Sequence, residues 1–288
     1  MEPAVPVLKK IQMEPAVPVP ERVLMEPAIK ILHWNINGIR TISKKNVYKS
    51  QSFESYLLKQ KADIIIFTET KISDDKRCDE INALFKSYPY HYHTHAEKKG
   101  YSGVSIYSKI EPIRQLHHNI DNSEGRIITL EYNKFILIGT YIPNSGAKLL
   151  RLSYRINEWD KQFLRICKQL IAKKSLVIVG DMNVAHMDID INHPEKHHMT
   201  SGFTDQERGN FDKLLRECNL LDSWRIQHPN KIGYTYFDYR TKARQRNAGW
   251  RIDYILITAD IQHQLLESNI LSNVIGSDHI PITCLLQI

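Results

Sequence analysis

Residues 176–183 read Leu-Val-Ile-Val-Gly-Asp-Met-Asn. Four apolar residues suit a fully buried strand, and the glycine ends it in a turn. A carboxylate and an amide, Asp181 and Asn183, emerge there two positions apart. Turn formation alone would account for one such pair, because Asp and Asn are the default turn residues. Other apolar stretches end the same way. Ile31–Trp34 runs into Asn35 and Asn37, Ile64–Phe67 into Glu69, and Leu137–Thr140 into Tyr141 and Asn144. Ile252 is followed by Asp253, and Gly276-Ser277 delivers Asp278 and His279 before another apolar run. Six deliveries of polar groups at strand ends predict one polar pocket built on a rigid base.

The residue types narrow the chemistry. Carboxylate oxygens beside asparagine carbonyls suit a hard cation, Mg²⁺ first and Mn²⁺ as a substitute. Cys78, Cys167, Cys218 and Cys284 have no CxxC spacing, which argues against zinc and against a disulfide framework. There is no Gly-x-Ser-x-Gly turn to present a nucleophilic serine, and no Gly-rich nucleotide loop. Water is then the nucleophile, a carboxylate orients or deprotonates it, and a cation and a histidine face an anionic centre. Phosphodiester hydrolysis requires these parts, because charge accumulates on the phosphoryl and leaving oxygens.

Composition is compatible with that chemistry. Lys and Arg number 39 against 32 Asp and Glu, a formal net charge of +7 that suits a polyanionic partner such as nucleic acid. At 288 residues and 42% hydrophobic content the chain is long enough for one large α/β domain. No apolar run reaches the roughly 18 residues of a membrane helix. With reduced cysteines, this predicts an intracellular protein without membrane attachment, cytoplasmic in a bacterium or nuclear in a eukaryote.

The elements that must position the polar groups begin near Ile29. Before it, Met-Glu-Pro-Ala recurs at Met1, Met13 and Met25 among prolines 3, 6, 15, 18, 20 and 27, so residues 1–28 read as a flexible leader. Strands are expected over Ile29–Ile36, Asp63–Thr68, Gly103–Tyr107, Arg126–Glu131, Phe135–Ile142, Leu176–Val179, Ile252–Ile257 and Ile280–Leu286. Apolar residues alternately three and four apart predict a helix over Leu149–Ile171. Further helices fit Ser52–Lys59 and Thr204–Glu217, the latter opened by the capping-box pair Thr204 and Glu207. The close succession of 126–131 and 135–142 implies an antiparallel pair, not a doubly wound parallel sheet.

Trp34-Asn-Ile-Asn-Gly-Ile-Arg40, Thr68-Glu-Thr-Lys71, Gly100-Tyr-Ser-Gly-Val104, Glu124-Gly-Arg126 and Tyr141-Ile-Pro-Asn144 resemble the endonuclease/exonuclease/phosphatase superfamily. So do Gly180–His186, Gly202–Arg208, Gly249–Tyr254 and Gly276–Pro281. The ordered set, spanning 29–288, looks most like the exonuclease III-type abasic-site endonucleases. That resemblance implies a DNase I-like four-layer αββα sandwich of two mixed sheets, with the site at one end. It implies that Glu69, with Asn37 and Asp278 beside it, holds Mg²⁺. Asp181 would act on the attacking water, Asn183 on a phosphate oxygen, and His279 on the phosphate while oriented by Asp253. Tyr141 would stand near the phosphate or leaving oxygen, with Asn35 and Asn144 completing the floor. Tyr236 and Trp250 would wall a pocket for a base-free sugar. Tyr101, Arg126, Arg240, Arg244 and Asn247 would touch DNA phosphates. Ala147 departs from the family, where arginine is usual. The implied activity is cleavage 5′ to abasic sites in duplex DNA, with 3′→5′ exonuclease or 3′-end cleaning, by a monomer acting on abasic duplexes or damaged 3′ ends. Another phosphoesterase of the same fold, or an inactive DNA-binding module, is the alternative.

Overall fold

The structure is a computed structural model that describes residues 27–73 and 75–288. The leader expected over 1–28 falls almost wholly outside those residues. Among them, strands run in chain order as β1 (Ala28–Asn35), β2 (Asn46–Tyr48), β3 (Gln51–Ser52), β4 (Ile64–Thr68), β5 (Tyr90–Thr94), β6 (Val104–Ser108) and β7 (Arg114–Leu116). Then follow β8 (Ile127–Glu131), β9 (Phe135–Tyr141), β10 (Ser175–Asp181), β11 (Leu220–Asp222), β12 (Asp253–Thr258), β13 (Leu265–Ile270) and β14 (Ile282–Gln287).

Two six-stranded sheets result, ordered β13-β14-β1-β4-β6-β5 and β11-β12-β10-β9-β8-β7, with β2 and β3 as a separate hairpin. Each sheet holds one parallel pair, β1–β4 in the first and β9–β10 in the second, flanked by antiparallel neighbours. The expected antiparallel pairing of β8 with β9 is present.

The central strands are apolar along their length because both faces are covered. Ile31, Ile64, Ile66, Leu137, Val177, Val179, Ile255 and Ile257 meet in a core between the sheets. The alternate residues face outward. Leu32, Trp34, Ile65 and Phe67 pack with Phe53, Leu57 and Ile81 from the helices Phe53–Lys59 and Asp75–Asn82. Leu176, Ile178, Tyr254 and Leu256 pack with Phe163, Ile166, Phe211 and Leu214 from the helices Asp160–Ile171 and Asp205–Glu217. Helix, sheet, sheet and helix make the expected four-layer sandwich. The Thr204–Glu207 capping box forms as read.

One element differs. The single helix expected over 149–171 is divided into a 3₁₀ turn Ala147–Leu149, an α turn Leu152–Tyr154, a π turn Arg155–Trp159 and the helix Asp160–Ile171. Lys148 and Leu149 have φ of 55° and 60°, so a continuous helix cannot begin there. The wide turn lowers Arg155 into the interior, where its guanidinium donates to the carbonyls of Pro143 (2.8 Å) and Met182 (2.9 Å). Apolar spacing registers the face of this segment and is blind to that detour.

Gly180, inside β10 one residue before its end, approaches β9 so closely that a Cβ would lie 1.8 Å from the Thr140 carbonyl oxygen. Gly180→Ala should therefore push apart the parallel pair that carries Tyr141 and Asp181. Chemical denaturation should show a loss of about 1–3 kcal/mol; unchanged stability would remove this constraint from the account.

Candidate active site

The site forms where the carboxyl ends of the two parallel pairs meet. Asn35 closes β1, Glu69 follows β4, Tyr141 closes β9 and Asp181 closes β10. From the antiparallel neighbours come Asp253, which opens β12 opposite Asp181, and His279, just before β14. Inward-facing apolar side chains give way to polar ones at this one rim.

Asn35 Nδ2 donates to Glu69 Oε1 (3.0 Å) and to Asp181 Oδ2 (2.9 Å), joining the two sheets. Tyr141 OH also donates to Glu69 Oε1 (2.8 Å). Asn37 Nδ2 donates to Asp278 Oδ1 (3.0 Å), and the Lys71 ammonium lies 3.2 Å from Glu69 Oε2. The Asn183 N–H donates to Asp181 Oδ1 (2.9 Å), while its side chain donates to the Ile142 carbonyl (2.9 Å) and accepts from Asn144 Nδ2 (2.8 Å). On the other side, Asp253 Oδ2 is 2.8 Å from His279 Nδ1, and Asp253 Oδ1 is 2.9 Å from His33 Nε2. His279 Nε2 is 3.8 Å from Asp181 Oδ2.

Burial sets the protonation states. Burial, followed by the charge of Asp253, pushes Asp181 up to about 7. Burial works against the His279 cation, but the Asp253 carboxylate outweighs it and holds His279 at about 10. Asp253 itself is buried, yet His279 and His33 keep it well below the usual carboxylate range. Glu69 is likewise lowered against its burial, through Asn35, Lys71, His279 and Tyr141. Burial and the neighbouring Glu69 raise the Tyr141 phenol well above its ordinary value, so it remains a proton donor. The site therefore offers a carboxylate that titrates near neutrality beside a histidine that keeps its proton.

Above this floor opens a cavity of about 600 Å³, walled by Tyr236, Trp250, His193, His197 and Arg246. Tyr236 lies 5.0 Å from the His279 ring, and Trp250 meets His197 at the same spacing.

The sequence pattern of the Endonuclease/Exonuclease/phosphatase family matches residues 32–279. The chain belongs to that family. Within it, the chain is 38% identical to the Exodeoxyribonuclease of Bacillus subtilis, over 90% of this chain and all of the relative. It is 37% identical to the DNA repair nuclease APEX1 of Danio rerio, over 90% of this chain and 82% of the relative. Its fold matches an AP endonuclease from Archaeoglobus fulgidus with a TM-score of 0.78 and 28% identity, over 90% of this chain and all of the other. These likenesses place this endonuclease/exonuclease/phosphatase member in the exodeoxyribonuclease and abasic-site endonuclease branch.

Of the residues singled out for this family's chemistry, Asn35, Asn37, Glu69, Tyr141, Asn144, Asp181, Asn183, Asp253, Asp278 and His279 converge, with Tyr236 and Trp250 on the wall. The expected DNA contacts divide. Arg240 lines the mouth of the cavity and is highly exposed, paired with Asp238. Arg126 is 1% exposed, which corrects its reading as a groove-lining cation. Its guanidinium donates to Glu124, the Tyr141 carbonyl and the Tyr101 hydroxyl, bracing β9 from behind. Tyr101 also accepts from Arg151, so its hydroxyl is tied down. Arg244 and Asn247 line a separate recess beside Trp224 and His228 rather than the cavity, with Arg244 bonded to the Ser272 carbonyl. Ala147 and Lys148 are exposed on the turn after Gly146. Sequence reading missed His33, Lys71, His197 and Arg246. Lys71 stands inside the Thr68–Lys71 motif and was within reach; His33 reads as an ordinary strand residue.

The shifts at Asp181 and His279 are both upward, so each adds stability below its unfolded value and loses it as pH rises through the folded one. For His279 that window runs from about 6.5 to about 10. Asp253→Asn, which breaks the buried pair, should cost about 3–5 kcal/mol near pH 6. The cost should shrink toward pH 10, where His279 is losing its proton. Urea melts across that range that show a constant difference would contradict the assignment.

Proposed function

We propose that the protein hydrolyses the phosphodiester bond 5′ to abasic sites in duplex DNA and leaves a 3′-hydroxyl, with 3′→5′ exonuclease and 3′-phosphodiesterase action at the same centre. The observation that carries this reading is the pairing of Asp181 and His279 across 3.8 Å at the floor of the cavity. One group is poised to take a proton and the other to keep one.

Asp181 removes the proton of the attacking water, with an acidity matched to neutral pH. His279 presents its Nε2 proton to the phosphoryl oxygens, where negative charge builds. Asn183 spends one side-chain N–H on Ile142 and keeps the other for the phosphate. Tyr141 supplies a neutral phenol beside Glu69. The donor chemistry fits a divalent cation, Mg²⁺ with Mn²⁺ as a substitute. Glu69 and Asp278 offer carboxylate oxygens, and Asn37 links to Asp278 through its amide. When bound, such an ion stabilises charge on the phosphoryl and leaving oxygens. Glu69, Asp181 and His279 also lie close enough to form a ligand group. In this reading His279 turns its Nε2 to the phosphate instead, with Nδ1 held by Asp253.

Tyr236 and Trp250 favour a sugar without a base, which also costs less to extrude from the duplex. The reading agrees with relatives that bear exonuclease and abasic-endonuclease names, and with a likeness to a 3′ phosphatase from Neisseria bound to product DNA hairpin (TM-score 0.71, 25% identity, 89% of this chain and 98% of the other). Duplex DNA is the partner it requires. A monomer suffices, since one chain furnishes the whole site. Among the described residues no helix is long and apolar enough to cross a membrane.

In Mg²⁺, Asp181→Asn or His279→Ala should abolish nicking of a fluorescent duplex with a single abasic analogue, and an intact duplex should stay uncut. Turnover retained in either variant would overturn the mechanism. For the wild-type protein, EDTA should stop cleavage and added Mg²⁺ restore it; full activity in the chelator would exclude the cation. Binding should weaken as a power of salt concentration if phosphate contacts dominate, and a salt-independent Kd would count against a DNA groove.

A further inference from the structure

Asp253 is held from both sides, and only one side belongs to the reaction described above. Its Oδ2 faces His279 Nδ1, while its Oδ1 faces Nε2 of His33, which is fully buried in β1. His33 shares the inward face of β1 with Ile29 and Ile31 below it and Asn35 above it, at the boundary between the apolar core and the polar floor. Its other ring nitrogen, Nδ1, is buried and has no hydrogen-bond partner among the described residues. A proton on Nδ1 would be a buried donor without an acceptor, which native interiors avoid. The tautomer with its proton on Nε2 donates it to Asp253 and leaves on Nδ1 only a lone pair, a smaller loss than a buried N–H without an acceptor.

We infer that His33 is a positioning residue for hydrolysis. Its Nε2–H pins the second carboxylate oxygen of Asp253 so that the first stays aimed at His279 Nδ1. The inference rests on the role given above to His279. A carboxylate held by one oxygen can turn about its terminal torsion, which has broad wells. Asp253 has reason to turn, because it sits directly opposite Asp181, a like charge, in the β10–β12 pairing. Thr235 Oγ1 accepts from the Asp253 backbone N–H (3.1 Å) and fixes the main chain, not the carboxylate plane. The bond from His33 fixes that plane. It comes from the opposite sheet, as does the bond from Asn35 to Asp181, so a single strand orients both carboxylates of the second sheet.

The test compares His33→Gln, His33→Asn and His33→Leu with the wild-type protein. Glutamine places an amide donor near the Nε2 position, asparagine stops short of it, and leucine fills the space without a donor. With glutamine, kcat on the abasic duplex should stay within about threefold of wild type. With asparagine and leucine it should fall about 10- to 100-fold, the range seen when groups that orient a ligand are lost. KM should be nearly unchanged throughout. In ¹⁵N-edited imidazole spectra of the wild-type protein, His33 should be the Nε2–H tautomer, and the His279 Nδ1–H should resonate far downfield. That downfield signal should persist in the glutamine variant and shift upfield or vanish in the leucine variant.

An Nδ1–H tautomer for His33 would overturn the inference without any variant. So would equal rates for the glutamine and leucine variants, whether both high or both low. Unfolding midpoints identify a variant that fails to fold, and the glutamine–asparagine comparison and the wild-type tautomer then decide. A wild-type protein that leaves abasic duplexes uncut would instead sink the functional reading, and the spectra alone would judge His33.

Discussion

Buried carboxylates at the seam of two sheets are the constraint on which the rest of the structure depends. Asp181 and Asp253 are directly opposite each other on neighbouring strands and almost completely removed from water. Two like charges in such a place are costly unless donors surround them. Most of these donors come from the other sheet: Asn35 reaches Asp181, His33 reaches Asp253, and His279 sits between the two, while the Asn183 N–H serves Asp181 from its own strand end. The same contacts that make the carboxylates tolerable also lock the two sheets in relative position.

This arrangement separates the acidities of chemically identical groups. Asp253 takes two imidazole partners and stays ionised, whereas Asp181 feels the charge of Asp253 and its own burial and rises toward neutrality. Opposite environments for a pair of carboxylates divide the labour of orienting and proton transfer. Rigidity underneath matters as much. Arg155 ties the loops after β9 and β10 through carbonyls of Pro143 and Met182, and Arg126 ties Tyr141 from behind. Both are buried cations whose guanidinium groups hold neighbouring carbonyls and side chains.

Much of this was legible in the sequence for a plain reason. Strands covered on both faces must be apolar throughout, and a polar residue at the end of such a run stands out. Hence the core strands, the capped helix at Thr204 and ten residues of the floor could be read directly or through their motifs. The edge strands were not legible. β5 is Tyr-His-Tyr-His-Thr and β13 is Leu-Leu-Glu-Ser-Asn-Ile, half-exposed segments whose pairing comes from their neighbours and not from their own composition. Arg126 shows the converse error. An arginine inside a motif reads as a phosphate contact until burial shows what its guanidinium already holds.

By itself the sequence determined which groups were available and that they would end at strand termini, because burial alternation and turn chemistry are local. Only the tertiary structure decided what each group does. Asn35 and Asp181 are distant in sequence and hydrogen-bonded in space, as are His33 and Asp253. An acidity of about 7 for Asp181 has no local signature, since it arises from desolvation and a neighbouring charge that exist only once the sheets have closed. His33 marks the limit most clearly. In the chain it is one polar residue in an apolar strand, and its meaning lies in the carboxylate that the second sheet brings to it.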